Sequence, residues 1–325
     1  MFAPMCLSRA AGVAAGYAAD LMLGDPRRGH PVALFGGAAT RLERYTYADS
    51  RRAGALHAGV LLAALAPVGA AGERMACRRG PVSVAAITAA TTFVALGGTS
   101  LTRTGARMAD VLSAGDVDAG RRLLPSLCGR DPAVLDVEGL IRASVESVAE
   151  NTSDAQIAPL LWIAVGGVPA VLVYRGANTL DAMIGHHSPR YERFGWAAAR
   201  FDDALNIVAA RVTGVAVAVC APLVGGSPAD AIRAWRRDAG RHPSPNAGVV
   251  EASFAGALGV RLGGPTQYAH QLEIRPALGD GPPPQIADLR RAVRLSRAVQ
   301  FVTAALATLA VSAACRSGRR VSPRR

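Results

Sequence analysis

Residues 146–181 read ESVAENTSDAQIAPLLWIAVGGVPAVLVYRGANTLD. Glu146, Glu150 and Asp154 stand ahead of the apolar run 158–174, and Asn178 and Asp181 stand directly behind it. Arg200, Asp202, Asp203 and Asn206 follow, in front of a second long apolar run. Carboxylates and amides packed this closely around apolar segments are costly near lipid, where such groups mark a functional site by default. The alternation of polar cluster and apolar run reads as a membrane protein whose polar connections build a site.

Composition agrees. The chain has 325 residues, of which 50% are hydrophobic and 18% charged, and a mean hydropathy of +0.23. That is too apolar for an ordinary soluble domain, in which charged residues approach a quarter. The net charge of +12 comes from arginine alone, because the sequence holds no lysine. Those arginines sit in connections between apolar runs and form no basic stripe interleaved with aromatics, so nucleic acid is not expected as a partner. Arginine beside membrane segments, facing anionic lipid, is the better reading. The five cysteines, Cys6, Cys77, Cys128, Cys220 and Cys315, are scattered and include no CxxC pair, which argues against a disulfide framework or a cysteine metal site.

Six apolar runs are candidates to cross a bilayer: 4–23, 53–72, 82–101, 158–174, 207–226 and 298–315. The expected fold is therefore all-α, a polytopic integral membrane protein with about 4–6 membrane segments and amphipathic helical polar loops. The run 158–174 carries Pro159, Gly166, Gly167 and Pro169, which predict a kinked or re-entrant segment. If all six runs crossed, the clusters flanking it would face opposite sides, so a single site needs either a re-entrant run here, the expected case, or clusters that meet at membrane depth. Segment 102–157 has apolar positions at helical spacing among charges, with breaks near Gly115 and Asp131-Pro132 and a last helix from about Asp136. Polar loops at 175–206 and 227–297 complete the site, a basic tail occupies 316–325, and the whole chain, 1–325, reads as one membrane domain.

The chemistry of the clusters can be stated. Glu146, Glu150 and Asp154 are spaced four apart, so a continuous helix puts them on one face. Like charges there repel unless a cation lies between them, and such hard oxygen ligands suit Mg²⁺. The bland alternative is a solvated acidic face. Asn178 and Asp181 repeat the pattern at i, i+3. Asp25 and His30 sit on a rigid turn, Gly24-Asp25-Pro26 followed by His30-Pro31, after the first run. In His242-Pro243-Ser244-Pro245-Asn246-Ala247-Gly248, two prolines fix a turn behind Arg236, Arg237 and Arg241, a setting that suits phosphate or carboxylate. No Walker loop or dinucleotide fingerprint is present, and His186 and His187 read as polar loop residues.

Several of these stretches coincide with one family. They are Gly24-Asp25-Pro26 with His30-Pro31, Glu146 through Asp154, Asn178-Thr179-Leu180-Asp181 and Phe194-Gly195-Trp196. Arg200-Phe201-Asp202-Asp203, His242 through Gly248 and Gly256-Ala257-Leu258-Gly259-Val260 follow. In that order and spacing the chain resembles the CobD/CbiB family of cobalamin biosynthesis, from about Tyr17 to Tyr268. The resemblance implies an amide-forming ligase of the adenosylcobinamide-phosphate synthase type, in the bacterial cytoplasmic membrane with its site facing the cytoplasm. It would join the free carboxylate of adenosylcobyric acid to (R)-1-aminopropan-2-ol or its O-phosphate, with ATP and Mg²⁺. The corrinoid is then a substrate and not a bound cofactor, and other late cobalamin-pathway enzymes are possible partners beside membrane lipid. On that reading Glu146, Glu150 and Asp154 hold metal or amine, with Glu150, Asp154 and Asp202 as the metal set. Asp181, Asp202 and Asp203 complete the metal site or act as base. Arg200, His242 and Asn246 contact phosphate, with Asp25, His30, Asn151, Asn178, Asn206 and Ser244 as further substrate contacts. The rival class is a transporter with an intramembrane polar pathway, which predicts an internal repeat that the sequence does not show.

Overall fold

The computed structural model describes residues 2–26, 29–186, 188–267 and 272–320. His187 and residues 321–325 of the expected tail lie outside them. In chain order the helices begin with α1 (Phe2–Leu23), α2 (Pro31–Thr46), α3 (Arg51–Arg79) and α4 (Pro81–Ala95). Next come α5 (Gly98–Ser113), α6 (Val117–Leu123), α7 (Val137–Thr152) and α8 (Ala158–Leu180). The last four are α9 (Trp196–Cys220), α10 (Pro228–Asp238), α11 (Ala247–Leu258) and α12 (Ile286–Arg320). Between α11 and α12 lies one antiparallel hairpin, β1 (Leu262–Gln267) and β2 (Leu272–Leu278), with Gly264 opposite Arg275 and an irregularity between Leu262 and Gly264. The fold is all-helical but for this hairpin.

Local signals account for the boundaries. Ser50, Asp116, Asp136 and Ser227 each accept a backbone N–H of the following turn and so start α3, α6, α7 and α10. Pro228 adds a preset first helical residue after the Ser227 cap. Gly225 and Gly259 adopt left-handed backbone and stop the chain before α10 and after α11.

Five helical segments are long and apolar enough to cross a membrane: Arg51–Arg79, Pro81–Ser113, Val137–Gly185, Trp196–Val224 and Ile286–Ala314. The chain is a multi-pass membrane protein. Large apolar side chains such as Leu56, Val60, Val165, Val208, Val219, Leu306 and Leu309 are exposed along these segments, as lipid-facing residues should be. The first expected run, 4–23, is helical throughout as α1 but is not among the five. The acidic stretch and the apolar run behind it form one helical segment, Val137–Gly185, instead of a polar helix followed by a separate span. The expected kink is present: within α8 Gly167 has φ 67 and ψ −156, two residues before Pro169. Two expected loops are mostly helical, because α9 starts at Trp196 and takes in Arg200 to Asn206, and α10, α11 and the start of α12 occupy most of 227–297. The tail continues α12 through Arg320.

The chain groups into two units, the first from Met1–Gly97, Ala158–Leu205 and Thr303–Arg325, the second from Gly98–Ile157 and Asn206–Val302. In the first, α1 packs along α4 through Gly12 and Gly16. A Cβ on either would come within 2.6 Å of Thr88 Cβ or Thr92 Cβ, so only glycine allows this approach. Val13, Tyr17, Leu96, Leu160, Ile163 and Val171 fill the core beside it. Phe194 anchors a second cluster with Ala39, Ala58, Leu180 and Ile184. In the second unit α5, α7 and α11 bury Met108, Leu112, Leu140, Val148 and Phe254.

Candidate functional site

The sequence gathers charge where α7 meets the hairpin and α11, all within the second unit. Asp136 starts α7 by accepting the Gly139 N–H at 2.8 Å. That register places Glu146 in the interior, where it forms an ion pair with Arg130 and accepts the Gly263 N–H at 2.7 Å. Arg130 is buried as well, so neither charge is solvated and each depends on the other. Arg142, one turn earlier, donates to the carbonyls of Gly263 and Pro265 at 2.7 and 2.6 Å and ties β1 to α7. Gly264 leaves room for it, since a Cβ there would lie 2.8 Å from Arg142 Nη1.

Glu251 approaches from α11 and is 1% exposed. Its Oε1 lies 3.8 Å from Arg275 Nη1 and its Oε2 4.0 Å from His242 Nε2. Neither oxygen has a hydrogen-bond partner among the described residues. Burial, and then the charges of Glu146 and Glu150, push its carboxyl well above the usual carboxylate range. Glu150 feels the same arginines, Arg275 and Arg130, but its side chain shows no hydrogen bond or ion pair among the described residues. Arg275 Nε also lies 3.6 Å from Glu273 Oε2.

His242 is held by its own loop. His242 Nδ1 lies 3.1 Å from the Ser244 nitrogen and 3.2 Å from the Ser244 carbonyl oxygen, so the backbone of Ser244 fixes the ring. Burial, and next the nearby Arg275, lower its pKa and favour the neutral ring. Gly248 lets α11 close on this loop, because a Cβ there would fall 2.6 Å from His242 Cβ. Ser244 Oγ accepts the N–H groups of Asn246 and Ala247 at 3.3 and 3.2 Å, so it caps the start of α11. Asn246 Oδ1 accepts from Arg211 Nη1 at 2.7 Å. Asn151 donates to the Ser147 carbonyl and hydroxyl at 3.0 and 3.2 Å.

Asp154 falls in a π-helical turn, Ser153–Ile157, that joins α7 to α8. Such a turn inserts one residue into the helical register. The expectation that Glu146, Glu150 and Asp154 share one face of a continuous α-helix therefore holds for the first two only. Asp181 opens a second π-helical turn, Asp181–Gly185, in the first unit. A Cβ on Gly185 would lie 1.9 Å from Asp181 Oδ1, so a side chain there would displace the carboxylate. Elsewhere in the first unit, Asn178 Oδ1 accepts from Arg175 at 3.1 Å. Arg200 and Asp203 pair at 3.7 Å, and Asp202 is buried on α9. Asn206, further along the same helix, is buried and belongs to the second unit. His30 Nδ1 accepts the Val32 N–H at 3.2 Å to start α2, while its Nε2 lies 3.8 Å from Asp25. The Phe194-Gly195-Trp196 motif is a packing device: a Cβ on Gly195 would meet the Ile184 carbonyl at 1.6 Å.

A family model described as CobD/Cbib protein matches residues 13–296. The chain belongs to the CobD/CbiB family. It is 64% identical over 311 residues to a cobalamin biosynthesis protein CobD of Mycobacterium tuberculosis, covering 96% of this chain and 98% of that one. The CobD of Geobacter metallireducens is 42% identical over 80% of this chain and 83% of its own length. That of Rhodobacter capsulatus is 40% identical over 90% and 94%. No solved structure matches the chain. The CobD/CbiB match spans every residue of the charged cluster, including Arg130, Glu251 and Arg275, which sequence reading did not single out. A lone glutamate in the apolar stretch 247–258 was the one available signal.

Among the described residues no group of three His, Cys, Asp or Glu side chains could hold a metal ion. Of the expected set, Glu150 and Asp154 belong to the second unit and Asp202 to the first. Magnesium typically takes one or two carboxylates and completes its shell with water and substrate phosphates. Glu150, an oxygen donor without a hydrogen-bonded partner among the described residues, fits that manner of binding.

Proposed function

We propose that the protein is the amide-forming ligase of its family. It joins the free propionate of adenosylcobyric acid to (R)-1-aminopropan-2-ol or its O-phosphate, at the cytoplasmic side of the cell membrane where ATP is available. The observation that carries this reading is the cluster of buried Glu146, Glu251, Arg130 and His242 with half-buried Glu150 and Arg275, an expensive arrangement without a reaction to serve.

The chemistry asks for such a cluster. A carboxylate is a poor electrophile, so its oxygen first attacks the γ-phosphorus of ATP and releases ADP. The amine then attacks the acyl-phosphate carbon, the C–O bond breaks, and inorganic phosphate leaves. Bound magnesium, met by Glu150, would neutralise phosphate charge during the transfer. The amine arrives as an ammonium and must lose a proton before it attacks, and a buried carboxylate with raised proton affinity can accept it. Arg130 and the Gly263 N–H hold the Glu146 carboxylate in place, so the cluster does not rearrange as charge moves. With the propionate labelled by ¹⁸O, one labelled oxygen should leave in inorganic phosphate. Phosphate without label, alongside amide product, would contradict the acyl-phosphate route.

A further inference from the structure

Apart from the acidic cluster, the second unit gathers positive charge where α5 meets the start of α12. Asp110 pairs with Arg290 at 2.9 Å, a Cβ on Gly105 would lie 2.9 Å from Val293 Cγ2, and the Gln300 amide donates to the Gly98 carbonyl at 3.5 Å. These contacts run in opposite directions along the two helices, so α5 and α12 are antiparallel. The segments that hold them, Pro81–Ser113 and Ile286–Ala314, are both long and apolar enough to cross a membrane. The end of the first and the start of the second therefore share one bilayer surface. A groove of about 470 Å³ opens between them, and Ala106, Asp110, Arg290, Arg294 and Arg297 are among its lining residues.

Leu289, Ala292, Ser296 and Gln300 are buried on one side of α12. At 3.6 residues per turn Arg290, Arg294, Arg297 and Phe301 fall together on the opposite side, and all four are exposed. Asp110 and Ser113 hold Arg290, whereas Arg294 and Arg297 make no ion pair or hydrogen bond among the described residues. Arg103 and Arg107, exposed on the face of α5 that carries Asp110, add to the charge. A soluble anion would need the arginines alone. Here the stripe runs on into Phe301, and the sequence of α12 is apolar from Ala298 to Cys315. Charge thus gives way to apolar surface in the order in which a phospholipid passes from headgroup to acyl chain. We propose that this groove binds an anionic phospholipid, with Arg294 and Arg297 meeting its phosphate and Phe301 the start of an acyl chain. Forked guanidinium groups suit phosphate oxygens, and basic pockets between membrane helices take such headgroups. The site stands whether or not the ligase reading holds.

Native mass spectrometry of the full-length protein in detergent tests the site. Titrated phosphatidylglycerol should remain bound at concentrations where zwitterionic phosphatidylcholine does not. Arg294→Gln combined with Arg297→Gln should weaken phosphatidylglycerol binding about tenfold or more, and the matching lysine exchanges, which keep the charge, should retain part of it. Arg78→Gln combined with Arg79→Gln, exposed at the end of α3, should bind as the wild type does. Excess inorganic phosphate, which has no chain to lie along Phe301, should leave the lipid bound. Equal binding of the two lipids by the wild type would overturn the site, and so would equal losses in the two glutamine variants. Phosphatidylglycerol held by the Arg294 and Arg297 glutamine variant as tightly as by the wild type would overturn it as well. Displacement by inorganic phosphate would overturn the lipid assignment in favour of a soluble anion.

Discussion

Arg130 and Glu146 are both buried and pair with each other, with the Gly263 N–H as a third member. Removing one partner strands the other charge in the interior, which costs far more than the pair itself contributes. Arg130→Met should therefore destabilise the protein by about 3 kcal/mol or more, read as a fall in its unfolding midpoint in nanodiscs. The double variant Arg130→Met with Glu146→Leu should recover much of that loss. At this scale sequence reading singled out Glu146, Glu150, His242 and Asn246, because polar groups crowded beside apolar runs are visible in one dimension. It missed Arg130, Arg275 and Glu251, whose partners lie far along the chain: Arg130 meets Glu146, and Arg275 meets Glu251 only once the hairpin has folded against α11. Ser244 and His30 were expected to touch substrate, and in the structure each accepts backbone N–H groups at the start of a helix. Sequence cannot separate a cap from a ligand contact when both call for the same side chain.

Element boundaries were more legible than element packing. The last helix before the acidic cluster was expected from about Asp136, and Asp136 is its cap. The kink in 158–174 follows from its glycines and prolines, and it occurs at Gly167. The two π-helical turns at Asp154 and Asp181 were not legible, because one inserted residue leaves no trace in composition or spacing. Nor did the apolar run 4–23 announce that its Gly12-Val13-Ala14-Ala15-Gly16 stretch presents a face to α4. Gly16→Val should destabilise the first unit by about 1–3 kcal/mol through overpacking against Thr92 and the Ala89 carbonyl. The same change at Gly37, which has nothing within 4 Å of its Cβ position, should have little packing effect by comparison. Equal loss at both positions, measured by thermal unfolding, would contradict the packing account.

For the whole molecule, composition and the six apolar runs indicated a multi-pass helical membrane protein, and five segments of the structure have the length and apolarity to cross. The hairpin escaped sequence reading because β1 is rich in glycine and proline, and β2 is interrupted by Pro276. It supplies both the Gly263 N–H to Glu146 and the Arg275 guanidinium beside Glu251, so this small element completes the charged cluster. The central claim is that this cluster in the second unit is the reactive centre of an amide-forming ligase. Its most direct test is an assay on membranes containing the protein, supplied with adenosylcobyric acid, 1-aminopropan-2-ol phosphate, ATP and Mg²⁺. The wild type should form the amide only when ATP is present, and Glu150→Gln, inserted to the same level, should lose about 100-fold or more of the rate. Product formed at the wild-type rate by Glu150→Gln, or none from the wild type where a relative succeeds, would contradict the account.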